Sequence, residues 1–176
     1  MKNSNYGLFL NKAGNGRYTN IGAVKYLIRY VTRTNELPKD DLITWGGIGV
    51  AEFTGPEGMI SQFDAVQKRH RRKGGFGRYA DHEIYSCSSV EERLIKEKRI
   101  NVDKVARKMA YDFYERDHCQ VVYGAHTKDE GNDFIHIHFI INSVDYTTGN
   151  KRRENMRQTQ ERQERFRQIM KEELEK

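Results

Sequence analysis

Residues 125–142 read Ala125-His126-Thr127-Lys128-Asp129-Glu130-Gly131-Asn132-Asp133-Phe134-Ile135-His136-Ile137-His138-Phe139-Ile140-Ile141-Asn142. The stretch holds three of the chain's six histidines, two of them at alternate positions in a strongly β-forming run. Successive strand residues face opposite sides of a sheet, so His136 and His138 share one face, roughly 6.6 Å apart along the strand. Ile137, Phe139 and Ile141 point the other way, into a core. An earlier apolar run, Gln120 to Ala125, ends at His126. If the two runs pair as a hairpin, with the polar segment Lys128 to Asp133 as its turn, His126 comes beside the other two. Three neutral imidazoles can converge on one metal ion and leave coordination positions open for water or substrate. That pattern marks a catalytic rather than a closed structural site.

Strand-like and helix-like segments alternate upstream of this hairpin. Residues 5–10 look like a first strand. Residues 21–34 carry an apolar stripe at helical spacing, Ile21, Val24, Leu27, Ile28 and Val31, and Pro38 ends that helix. Short β-like pieces lie within 42–54. Helices are expected over 59–68, 90–98 and 102–116, and a strand over 79–87. Downstream, residues 151–176 are mostly charged or polar, with a narrow stripe of Phe166, Ile169, Met170 and Leu174. An exposed helix is expected over 154–176, the start of a linker to a further C-terminal region, because the chain stops there without a cap. The expected fold is α+β over residues 1–150, a mostly antiparallel central sheet with helices on one face and the histidines on the other.

A length of 176 residues suits one domain with a core of its own. Lys and Arg outnumber Asp and Glu by 31 to 25, a modest bias towards a polyanionic partner. The distribution says more. Residues 68–78 hold six basic residues in eleven, Lys68, Arg69, Arg71, Arg72, Lys73 and Arg78, with glycines and Phe76 between them. Such a segment suits backbone phosphates, with one ring free to stack on a base. Lys151, Arg152 and Arg153 form a second basic cluster. Cys87 and Cys119 fit neither a disulfide framework nor a zinc ribbon, which favours reduced thiols and a cytoplasmic protein. No apolar run approaches the length that spans a membrane, and the start of the chain does not read as a signal peptide.

Tyr26, Tyr30 and Arg33 recur at i, i+4 and i+7 on the first helix, opposite its apolar stripe. They face solvent or a cleft, and either tyrosine is a candidate nucleophile for a phosphodiester. Arg29 and Arg33 flank them.

The whole pattern resembles the relaxase domains of the VirD2-like, mobilisation-P class, within the HUH endonucleases. Gly22-Ala23-Val24-Lys25-Tyr26-Leu27-Ile28-Arg29-Tyr30 is similar to the family's first motif. The resemblance implies Tyr26 as the nucleophile, with Tyr30 as the alternative. His82-Glu83-Ile84-Tyr85-Ser86 resembles the second motif, a strand whose serine lies near DNA. Cys87 follows where the family has an aromatic residue, so Ser88 and Ser89 are alternatives to Ser86. His126, His136 and His138 with Asn142 resemble the third, metal-holding motif. The first gap is two residues longer than is common, and Lys128 replaces the acidic residue two after His126, with Asp129 next. Asp129, Asp133, Glu83 and Asn142 are candidate partners behind the ligands.

What the resemblance implies is specific. A divalent ion, Mn²⁺ or Mg²⁺, would neutralise charge at the scissile phosphate. The tyrosine would attack phosphorus and leave a 5′-phosphotyrosyl enzyme. The substrate would be single-stranded or hairpin DNA at an origin of transfer, with accessory relaxosome proteins and a coupling protein as partners. Two other functions compete. A rolling-circle replication initiator uses similar groups, although many place the tyrosine after the histidines. A metal-free DNA-binding module would keep the fold without the reaction.

Overall fold

The two histidine-bearing strands form the middle of a sheet. In the computed structural model, which describes residues 7–11, 18–35, 40–70, 77–127 and 134–176, β4 is Val121–His126 and β5 is His136–Asn142. They pair antiparallel, with His126 opposite His136 and Gly124 opposite His138. β3, Ala80–Ser86, flanks β5 on its other side. β1, Leu8–Asn11, and β2, Leu42–Ile48, form the edges. The order is β1-β3-β5-β4-β2, and every pairing is antiparallel.

Register fixes which side chains share a face. Ser86 lies opposite His136 and Ile84 opposite His138. Tyr85, Tyr123, Ala125, Ile137, Phe139 and Ile141 therefore occupy the other face. There they build one core with α4, Val102–Asp117, and α5, Met156–Leu174. Phe113, Phe139 and Phe166 meet in that core at 5.5–5.6 Å between ring centres. α3, Ser89–Lys98, lies beside α5 and starts at a capping box between Ser88 and Glu91. The α+β class, the antiparallel sheet and a helical layer opposite the histidines are as expected.

Two features go beyond the expectation. α1, Ile21–Val31, and α2, Gly55–His70, cover the rest of the histidine face. Val24, Leu27, Ile28, Val31, Met59, Ile60 and Phe63 bury themselves there against Val122 and Ile140. The helix expected to be exposed over 154–176 is also corrected. Phe166, Met170 and Leu174 of α5 are buried in the core with α4. Truncating Phe166 to alanine would remove about 3–5 kcal/mol of stability.

Candidate active site

β4 delivers His126 from its last residue, and β5 delivers His136 and His138 from its first and third. All three rings are buried, and one nitrogen of each lies within 4.8 Å of the others. The opposite nitrogen of each ring is engaged from behind. His126 Nε2 meets the Val31 carbonyl oxygen at 2.9 Å, and His136 Nδ1 meets that of Phe134 at 2.8 Å. A carbonyl only accepts, so those two nitrogens carry the protons. The lone pairs are left on His126 Nδ1 and His136 Nε2, turned towards the cluster. His138 Nδ1 lies 2.8 Å from His82 Nε2. The same orientation at His138 requires Nδ1 to donate and His82 to accept.

Burial pushes the His126 pKa down to about 4; the Val31 hydrogen bond opposes this and the Arg33 charge adds to it. The ring is therefore neutral near pH 7. Its Nδ1 is buried without a hydrogen-bond partner among the described residues. An unmet buried acceptor is costly, and a cation would answer it. Neutral imidazoles with inward lone pairs and braced outer nitrogens fit a divalent transition metal by ligand chemistry.

The end of α1 completes the site. Asn20 caps this helix by accepting from the Ala23 N–H at 2.9 Å. Its last turn presses on β4 where Gly124 has no side chain. A Cβ there would overlap the Val31 carbonyl oxygen, the same atom that braces His126. This approach sets the Tyr30 ring edge-on to His138 at 5.6 Å and to His126 at 6.2 Å. Tyr26 stacks on Tyr30 at 6.3 Å, one turn further out and 64% exposed. The family resemblance favours Tyr26 as the nucleophile, with Tyr30 as the alternative; the structure sets the Tyr30 ring beside the histidines. Arg33 lies with its guanidinium carbon 4.7 Å from the centre of the Tyr30 ring and is ion-paired to Asp41 at 2.7 Å. Burial works against its charge, but hydrogen bonds to Asp41 and Tyr30 raise its pKa overall.

The model of one protein family, relaxase, MobA/VirD2-like, nuclease domain, matches residues 30–174. The chain belongs to this relaxase family. The match opens at Tyr30 and closes within α5, so it takes in all three histidines and the buried C-terminal helix. None of the curated proteins compared with the chain matches it. A relaxase nuclease domain acts on DNA, and among the described residues no helix is long and apolar enough to cross a membrane.

The remaining sequence candidates separate by burial. Ser86 faces the histidine side directly across from His136. Lys68 and Arg69 are exposed on the last turn of α2, Arg153 is exposed, and Arg29 forms a surface pair with Glu57 at 2.7 Å. Arg71, Arg72, Lys73, Asp129 and Asp133 lie outside the described residues. Others are engaged within the protein. Arg33 and Arg152 are buried, and Arg152 pairs with Asp81, Glu83, Asp117 and Glu154 at 2.7–2.9 Å. Arg78 is held by Asp81 and the Arg152 carbonyl. Lys151 turns inward onto Ser143 and the Arg78 carbonyl.

Two candidates for bracing the metal ligands are corrected as well. Glu83 lies on the opposite face of the sheet from the histidines, and Asn142 joins an amide network with Gln67 and Gln120 at the far end of β5. The bracing groups found instead are His82 and the carbonyls of Val31 and Phe134. Only His82 had a sequence signal, its even spacing from Ile84 and Ser86 along β3.

Proposed function

We propose that this relaxase domain nicks one DNA strand by tyrosine transesterification, with Tyr30 as the nucleophile. The observation that carries the proposal is the contact of the Tyr30 ring with two of the three converging imidazoles. When bound at His126, His136 and His138, a divalent cation (Mn²⁺ or Mg²⁺ by family resemblance) supplies charge neutralisation at the non-bridging oxygens of the scissile phosphate. The phenol of Tyr30 loses its proton, and its oxygen bonds to phosphorus as the bond from phosphorus to the 3′-oxygen breaks. The leaving 3′-oxygen takes up a proton, and the 5′ end stays on the enzyme as a phosphotyrosyl ester. Ester energy is retained, so the reverse reaction rejoins the strand. Arg33, paired with Asp41, lies over the Tyr30 ring and helps to hold it in place. The substrate would be single-stranded or hairpin DNA at an origin of transfer, cut to start mobilisation of a plasmid or integrative element. Accessory relaxosome proteins and a coupling protein would act with it.

The test is a denaturing gel of protein, Mn²⁺ and oligonucleotides tiling the DNA beside its gene. A covalent adduct should form and should disappear with EDTA. Tyr30→Phe should bind DNA yet give no adduct, whereas Tyr26→Phe should still give one. Trypsin cuts after Lys25, Arg29 and Arg33, which puts the two tyrosines on separate peptides. An adduct on the peptide from 26 to 29 would move the nucleophile to Tyr26. Cutting that leaves a free 5′-phosphate would overturn the covalent mechanism.

A further inference from the structure

We infer that Tyr26 is the floor of a nucleobase-stacking subsite beside the scissile phosphate, an assignment that rests on the relaxase reading above. Tyr26 and Tyr30 sit one turn apart on the same face of α1. Their rings are 20° from parallel with centres 6.3 Å apart. The inner ring ends on the histidines, while the outer one is 64% exposed. The pair is therefore a short aromatic stack that begins at the reaction centre and ends in solvent.

The surroundings of the exposed ring favour a nucleic-acid base as its occupant. α1 carries no acidic residue; Lys25 precedes Tyr26 in the chain and Arg29 follows it at i+3, a neighbour on the helix surface. Arg29 is held in place by two hydrogen bonds to Glu57, at 2.7 and 3.0 Å. An aromatic face beside cations is the arrangement that takes single strands, the base on the ring and the phosphates on the cations. A base laid on Tyr26 would extend the stack by one member. It would anchor the strand where the next phosphate can meet Tyr30 and the metal ligands, which is how positioning lowers a barrier. The stacking role needs the ring of Tyr26 and not its hydroxyl.

The experiment is anisotropy titration of a labelled oligo-dT strand at one fixed salt concentration. Tyr26→Ala should bind about tenfold more weakly, the scale of one base stack, and Tyr26→Phe should recover most of that affinity. With wild-type protein, a 2-aminopurine placed within the strand should change fluorescence on binding, and that change should vanish in Tyr26→Ala. Unaltered affinity in Tyr26→Ala overturns the subsite while leaving the relaxase reading intact. A Tyr26→Phe variant as weak as Tyr26→Ala overturns it too, because the hydroxyl would then be the contact. Wild-type protein that binds no single strand at all would overturn the relaxase reading as well.

Discussion

His82 gives His138 a kind of support that the other two histidines of the cluster lack. His126 and His136 lean on backbone carbonyls, which accept in every protonation state. His138 leans on a side chain that donates or accepts according to its tautomer. Removing it should leave the β5 ring free to turn. His82→Ala is expected to weaken Mn²⁺ binding about 10–100-fold in a calorimetric titration, and His82→Gln, which keeps an acceptor, should recover part of the affinity. Wild-type affinity in His82→Ala would show that β5 orients His138 without help. Arg152 is the opposite case, a residue whose sequence context misleads. It stands between half-buried Lys151 and exposed Arg153, and a basic run does not reveal which head turns inward. Four carboxylates surround it, and one of them, Glu83, has its pKa raised to about 7 by burial. Arg152→Met should cost about 3–5 kcal/mol in denaturant unfolding, because it strands buried charge. An equally stable variant with weaker DNA binding would return Arg152 to the interface.

At the scale of elements, the site depends on how closely α1 approaches β4. Gly124 is the point of contact, and the Val31 carbonyl that rests there also fixes the tautomer of His126. A methyl group at 124 should push the last turn of α1 outward, carrying Tyr30 with it. Gly124→Ala is expected to lower stability by about 1–3 kcal/mol, and to lower metal affinity about tenfold or more. A variant that loses stability alone would show that the helix end and the metal site are independent. The hairpin and the spans of α1, α3 and α4 are legible in the sequence because their periodicity is local. Gly124 is not, because a close approach between residues 31 and 124 leaves no periodic trace. The ranking of Tyr30 against Tyr26 depends on the same approach. The burial of α5 is hidden for a related reason. Its apolar stripe is narrow, and its buried Arg162 and Glu173 look solvent-facing until Asp112, Asp117, Glu154 and Lys108 are placed around them.

Across the whole molecule, the three histidines and the residues that flank the basic segment lie at opposite ends of the sheet. β3 runs from Ala80, opposite Asn142, to Ser86, opposite His136, so its seven residues separate the two ends by about 20 Å. Both stems of segment 71–76 belong to the end away from the histidines. His70 closes α2 against Gly149, and Gly77 to Tyr79 lead into the start of β3. A strand that reaches both the histidines and the stems of this segment must run about 20 Å along β3. Replacing Lys68, Arg69, Arg71, Arg72 and Lys73 by glutamine should reduce the slope of log affinity against log salt by up to about 0.7 for each phosphate left without its cation. The defect should appear in Kd and its salt dependence, with little change in the adduct rate at saturating DNA. A slope equal to wild type would show that these cations face solvent. A rate defect that persists at saturation would mean that the segment reaches the scissile phosphate.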